Sequence, residues 1–173
     1  MKILFSSILV IFLFFTNQAL SEQNIAFIDL DRVISISKPG SSILKQLTDL
    51  NNKNLKFLNN KEKKLKEKET KLISQKNIIS EADFKSKVNE LKSEFRNYNQ
   101  NRKKILADFD RLKIDNTNNF LKLINPILIK FSNDKEIAII LQKKDLIIAK
   151  TQLDITDEVI KIVNLEVKEF KIK

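Results

Sequence analysis

The residue types that most often carry out enzyme chemistry are missing from this sequence. It contains no histidine and no cysteine, so the usual zinc ligands, the histidine of acid–base or triad catalysis, and any disulfide are excluded. Gly40 is the single glycine, which excludes the glycine-rich phosphate loops in their usual spacing. Asp, Glu, Lys and Ser remain, but no arrangement of them indicates a reaction. We therefore predict a protein that is not an enzyme, with no catalytic residue, metal site or cofactor.

The first 21 residues have the pattern of a secretory signal peptide. Lys2 supplies a positive charge, the stretch from Ile3 to Phe15 is almost entirely apolar, and small residues stand at Ala19 and Ser21, the positions that a signal peptidase reads. The apolar stretch spans 13 residues, whereas a membrane-crossing helix needs roughly 20. An uncleaved N-terminal anchor is the alternative. The pattern predicts export and cleavage near Ser21/Glu22.

The segment after the signal predicts one strand and a loop that leads into a long helix. Residues 24–30 carry apolar side chains on both faces, which is typical of a buried strand. A short helical turn is expected at 31–37. Residues 38–41 read Lys-Pro-Gly-Ser, a pattern typical of a loop, and we predict that Ser41 or Ser42 caps the helix that follows.

Two long helical segments follow, and we predict that they form an antiparallel coiled-coil hairpin. Residues 42–79 contain no Gly or Pro, and apolar residues recur at intervals of seven at Leu44, Leu58, Leu65, Leu72 and Ile79. Ser80 begins a capping box that restarts a helix. Apolar residues then alternate by fours and threes, giving arms that reach on the order of 50 Å. We expect Pro126 to kink or end the second helix, and residues 120–131 to be buried nearly all round.

The end of the chain predicts two strands and a final helix. The strands are expected at 136–142 and 146–150 around a polar loop at 143–145, and Thr156 is expected to cap the helix. The resulting fold class is α+β and mostly α. It has a small β-sheet body (22–41 and 120–173) that carries a helical hairpin arm (42–119). A body this small, with open strand edges, is expected to self-associate.

The net charge of +10 is concentrated in the arm. Residues 45–115 hold 19 basic and 11 acidic residues. A flexible partner held by many weak contacts would meet apolar side chains outside the heptad seam together with lysines. The candidates for such contacts are Leu55, Phe57, Lys64, Lys71, Ile73, Ile78 and Leu106. For each of them, simple packing or a solvated surface is the alternative.

Two other classes of binding protein remain open. A basic coiled coil could bind anionic lipid or nucleic acid, although the interleaved acidic residues argue against a dedicated phosphate track and the export signal argues against DNA. A structural spacer or adaptor of the cell envelope would suit the arm length equally well. We expect no nucleic acid partner.

Three stretches of the sequence together resemble one family. Residues 25–32 (Ile-Ala-Phe-Ile-Asp-Leu-Asp-Arg) after the signal, the lysine-rich hairpin, and residues 153–160 (Leu-Asp-Ile-Thr-Asp-Glu-Val-Ile) are similar to the Skp/OmpH family. The resemblance implies a jellyfish-like homotrimer whose arms enclose a cavity. It also implies an ATP-independent periplasmic holdase chaperone that binds unfolded outer-membrane β-barrel proteins between translocation and insertion. A lipopolysaccharide patch is proposed for a relative, but none of its residues can be matched here, so anionic lipid or lipopolysaccharide stays an open partner.

Overall fold

The computed structural model describes residues 24–173, so the predicted signal peptide lies outside the described residues. Within that range the chain is mostly helical and carries a single two-stranded sheet, which agrees with the predicted α+β, mostly α class. The elements in chain order are β1 (Asn24–Ile28), α1 (Leu30–Ile36), α2 (Lys38–Ser74), α3 (Glu81–Asp134), β2 (Ile137–Gln142) and α4 (Thr156–Glu166), with 3-10 turns at Lys143–Asp145 and Thr151–Leu153.

The sheet is built around β1, which pairs with β2 in parallel. Ala26 lies opposite Ile140 and Ile28 opposite Gln142. On the other edge of β1, the Ile155 N–H donates to the Phe27 carbonyl at 3.0 Å. The first strand is therefore two residues shorter than predicted, and its last three residues are all buried.

The predicted strand at 146–150 is wrong. After β2 the chain passes through a 3-10 turn and crosses to the far edge of β1, so this segment does not fold back on β2. Its side chains are left uncovered in the described chain, with Ile147 100% exposed and Ile148 91% exposed. Their apolar, β-branched character suits a strand, but no neighbouring edge accepts them here.

The start of α2 also differs from the prediction. The helix begins at Lys38, and its cap is Ser37, whose Oγ accepts a hydrogen bond from the Gly40 N–H at 3.3 Å; neither Ser41 nor Ser42 caps it. Pro39 is tolerated because the first helical turn has no intrahelical use for its missing N–H. Gly40 packs against α1 so closely that a Cβ there would lie 2.2 Å from the Ile34 carbonyl oxygen. The Pro-Gly pair therefore opens a helix and does not form a loop.

A single hydrophobic core joins the sheet, α1, α4 and the body ends of α2 and α3. Its buried members are Ala26, Ile28, Val33, Ile43, Leu47, Phe120, Ile124, Ile127, Phe131, Ile155, Val159, Ile160 and Val163. Because Ile127 and Phe131 belong to this core, α3 continues through Pro126 to Asp134 and does not end at the proline. The expectation that 120–131 is buried all round is wrong, since Leu123 and Ile129 on its other face are exposed.

The final helix is confirmed, but its cap is not Thr156. Thr156 is already helical, and its Oγ1 accepts a hydrogen bond from the Asp29 N–H at 2.9 Å. Asp154 accepts from the Thr156 N–H at 2.9 Å. Asp29 in turn caps α1, so these contacts connect α4 to the point where β1 becomes α1.

A C-terminal tail, Val167–Lys173, follows α4 and lies across the body ends of α2 and α3. Gln46 of α2 and Asn116 of α3 both hydrogen-bond to its backbone. No helix within residues 24–173 combines the length and apolar character that crossing a membrane requires.

Candidate functional site

The seam between α2 and α3 is formed by leucines at intervals of seven. Leu58, Leu65 and Leu72 are buried, as the heptad pattern predicts, whereas Leu44 is exposed and Leu47 takes the buried position near the body. The facing side chains of α3, among them Phe95 and Tyr98, are half-buried. The seam therefore uses about one apolar residue of α2 for every two turns.

Polar contacts across the seam fix how the two helices are paired. Lys68 donates to both carboxylate oxygens of Glu94, at 2.6 and 2.7 Å. The Tyr98 hydroxyl lies 3.4 Å from Glu62 Oε2. As the residue number rises from 62 to 68 on α2, it falls from 98 to 94 on α3, so the helices run in opposite directions at these contacts. Ser80 caps α3 as predicted, with its Oγ accepting from the Asp83 N–H at 3.1 Å.

Charged groups beside the seam are held in their ionised forms. The hydrogen bond and charge of Lys66, 2.7 Å away, lower the pKa of Glu62, and the same contact raises the pKa of Lys66. Burial in the seam, reinforced by the Glu62 carboxylate, raises the pKa of Tyr98. Glu62 and Lys66 consequently stay charged, and Tyr98 stays neutral, at ordinary pH.

All seven candidate contact residues lie on the surface, but the structure does not gather them into one patch. The five apolar candidates are 38–79% exposed. Phe57, Lys64 and Lys71 are spaced by seven and form a strip beside the buried leucines, where Lys61 lies 5.8 Å above the Phe57 ring. Leu55 and Ile73 are about five turns apart on α2 and lie along its opposite flank.

The two remaining candidates lie elsewhere on the arm. Ile78 is in the turn that joins α2 to α3, and Leu106 is on α3. The seven residues thus surround the arm and do not converge, which suits many separate weak contacts and does not suit a pocket for a small molecule. Among residues 24–173, no three acidic side chains gather closely enough to hold a metal ion.

Sequence reasoning predicted a body with open strand edges but missed an apolar groove beside β2. A groove of ≈ 730 Å³ lies between α3 and β2. Its lining is mainly apolar: Ile28, Leu30, Leu121, Ile124, Leu128, Ile129, Ile137 and Ile140. No residue of β2 is fully buried, and Ile139 and Leu141 are exposed on it. The sequence did contain a sign of this surface. Five of the six residues of β2 are apolar, and an apolar run of this kind is usually covered by other protein, which this chain does not supply.

Comparisons with known proteins agree with this architecture. A family model described as outer membrane protein (OmpH-like) matches residues 24–163. Among solved structures, the chain is similar to a candidate outer membrane chaperone (OmpH-like) from Caulobacter crescentus CB15, with a TM-score of 0.72 and 14% identity over 86% of this chain and 88% of that chain. At that identity, the likeness shows a shared fold. Among curated proteins, none matches this chain. Since the family model spans most of its length, the chain belongs to the outer membrane protein (OmpH-like) family.

Proposed function

We propose that this protein is an ATP-independent periplasmic holdase chaperone that binds unfolded outer-membrane β-barrel proteins between translocation and insertion. Its membership of the outer membrane protein (OmpH-like) family supports a role connected with outer-membrane proteins. The structurally similar protein from Caulobacter crescentus is described as a candidate outer membrane chaperone, which supports the holding role. The signal-peptide pattern supports the periplasmic location.

The observation that carries this proposal is the surface of the paired helices. The seam needs so few apolar residues that large hydrophobic side chains remain exposed among lysines along the whole arm. Each contact is weak, but many of them acting together on one flexible client bind strongly. The excess of basic residues accelerates capture, while the apolar contacts slow release. Such a surface recognises an unfolded chain without requiring a particular sequence.

We further propose that the body assembles copies of the chain into a homotrimer whose arms enclose a cavity. The outer edge of β2 and the exposed residues Ile147 and Ile148 support self-association, because both present apolar surface that a second copy can cover. The number of three copies is what the family resemblance implies. Covering Ile147 and Ile148 would contribute about 3–6 kcal/mol per subunit. That amount corresponds to roughly two to four orders of magnitude in affinity.

Anionic lipid, including lipopolysaccharide, is a secondary proposed partner. The arm has net charge +8, and basic surface is attracted to anionic headgroups. The proposal rests on charge alone and predicts weak, salt-sensitive binding.

The test is an aggregation assay with a client and no nucleotide. An outer-membrane β-barrel protein unfolded in urea is diluted into buffer with or without the mature protein, and light scattering is followed. We expect the scattering to be suppressed at a fixed ratio of protein to client, and a complex of the two to appear in sedimentation. Unchanged aggregation with no complex would contradict the holdase proposal and favour an adaptor role.

A further inference from the structure

The C-terminal tail lies beyond the stretch that the family model matches, which ends at residue 163. The tail, Val167–Lys173, fills a groove between the body ends of α2 and α3. Gln46 and Asn116 form the two sides of this groove. Both of these residues lie within the matched region, whereas the segment that they hold does not.

The two amide side chains recognise the backbone of the tail. Gln46 donates from Nε2 to the Phe170 carbonyl at 3.0 Å and accepts from the Ile172 N–H at 3.2 Å. This is the pattern with which one strand bonds to its neighbour. Asn116 donates from Nδ2 to the Lys173 carbonyl at 3.3 Å and accepts from the Lys173 N–H at 3.4 Å. Successive residues of an extended chain point their polar groups to opposite edges, so each amide holds one edge of the tail. Because these contacts are made to backbone atoms, they do not depend on which side chains the bound segment carries.

The side chains of the tail show what the groove prefers. Val167, Phe170 and Ile172 are partly buried against the core, whereas Lys171 and Lys173 are exposed. Residues 170–173 therefore alternate between apolar inward and charged outward. Transmembrane strands of β-barrel proteins carry the same alternation of apolar and polar side chains.

The contacts also permit the tail to leave. Among the described residues, the hydrogen bonds that join residues 168–173 to α2 and α3 all involve two side chains, Gln46 and Asn116. Asn116 keeps a separate bond from Nδ2 to the Leu112 carbonyl at 2.8 Å. A depression of ≈ 610 Å³ lies beside Val167 and Phe170 and opens to the exposed Leu123. An arriving segment could therefore enter from this side as the tail withdraws.

We propose that the groove between Gln46 and Asn116 is a binding site for an extended, alternately apolar segment of an unfolded polypeptide, and that the tail is its displaceable resident. This inference deepens the proposed holdase function and rests on it. It locates one client subsite at the base of the arm, and it makes the tail a competitor that dissociates when a better segment arrives.

The experiment uses a labelled peptide with the sequence of residues 167–173. Its fluorescence anisotropy is measured with the mature protein and with a variant that ends at Glu166. We expect the shortened variant to bind the peptide at least tenfold more tightly than the intact protein does. A control peptide with serine in place of Phe170 and Ile172 should bind at least tenfold more weakly. Gln46→Ala in the shortened variant should also weaken binding. Helical content and sedimentation of the shortened variant should match those of the intact protein.

A second variant protects the test against misfolding of the first. The full-length chain with Phe170→Ser and Ile172→Ser keeps its length but loses the apolar contacts of the tail, so it should also bind the labelled peptide. Equal peptide binding by the intact and altered proteins, or no binding by either variant, would overturn the proposal. A peptide copied from a β-barrel strand should displace the labelled one; failure to displace it would also overturn the proposal.

The subsite and the holdase function can fail separately. Peptide binding by the shortened variant, without suppression of aggregation by the intact protein, would retain the groove and refute the holdase proposal. Suppression of aggregation without peptide binding by either variant would retain the holdase and refute the groove.

Discussion

Replacing Gly40, the single glycine, with alanine should destabilise the protein, although Gly→Ala within a helix usually stabilises. In a helix, Gly→Ala normally stabilises by about 1 kcal/mol because alanine loses less backbone entropy. Gly40 is helical, yet a Cβ there would lie 2.2 Å from the Ile34 carbonyl oxygen and 2.8 Å from Ser37 Oγ. Both the crossing of α1 against α2 and the cap of α2 would therefore have to shift.

The size of the effect follows from those two contacts. Forcing an extra methyl group into a packed site costs about 1–3 kcal/mol, and disturbing a serine cap costs roughly 1 kcal/mol more. After subtraction of the propensity gain, Gly40→Ala should lower the free energy of unfolding by about 1–3 kcal/mol. For a chain of this size, that is a fall of about 2–12 °C in Tm.

The assay is thermal and urea unfolding followed by circular dichroism at matched protein concentrations, because assembly would make Tm depend on concentration. Ser41→Ala is the control, since Ser41 is exposed in the same turn and should change stability by less than about 0.5 kcal/mol. A Gly40→Ala protein as stable as the wild type, or more stable, would refute the close packing of α1 on α2.

Three further predictions concern the body. Asp29→Asn keeps a side chain able to cap α1 but removes a carboxylate whose pKa is lowered by the Arg32 N–H and by Lys143. The stability that this charge adds is present above the unfolded pKa and lost as pH falls through the folded one. Urea midpoints of variant and wild type should therefore differ at pH 7 and converge as pH falls below the ordinary aspartate pKa of about 3.9. Glu136 has φ 53° after the end of α3, so Glu136→Gly should stabilise by about 1 kcal/mol in the same assay, and a loss of stability would contradict it. Ile148→Asp should leave the subunit folded but reduce the oligomer in light scattering, whereas Thr151→Asp should not; an undiminished Ile148→Asp oligomer would exclude this segment from the interface.

Local signals in the sequence predicted the helices well. Ser80 caps α3 through its own near neighbour, Asp83, and the leucines at 58, 65 and 72 meet their partners at fixed heptad spacing. Both features are set within a few turns of chain. Sequence reasoning failed where the conformation of a residue depends on a contact with another helix or strand. Gly40 was interpreted as a loop residue because nothing local shows its approach to Ile34.

The same distinction applies to the strands and to the binding surface. Leu146–Lys150 has the composition of a strand, but strand formation depends on a free edge, which composition does not specify. The off-seam arm residues could be located because heptad spacing separates seam from surface, while their contact role stays a prediction. Gln46 and the buried Asn116 carried no signal, since a polar residue within a helix gives no sign of the tail that it holds.

The most direct test of the account is the activity of a protein with shortened arms. Glu62 faces Tyr98 and Lys68 faces Glu94, so deleting residues 59–101 removes facing parts of the two helices together. Replacing that stretch with a four-residue Gly-Ser turn keeps the body strands and the core intact. A matched control keeps the full arm and replaces Asn60, Asn89 and Asn97, which are exposed and uncharged, with alanine. The shortened protein should assemble as the wild type does in sedimentation, yet should no longer prevent an unfolded β-barrel protein from aggregating on dilution from urea, while the control remains active. A correctly assembled short-armed protein that still prevents aggregation would contradict the claim that the arms hold the client.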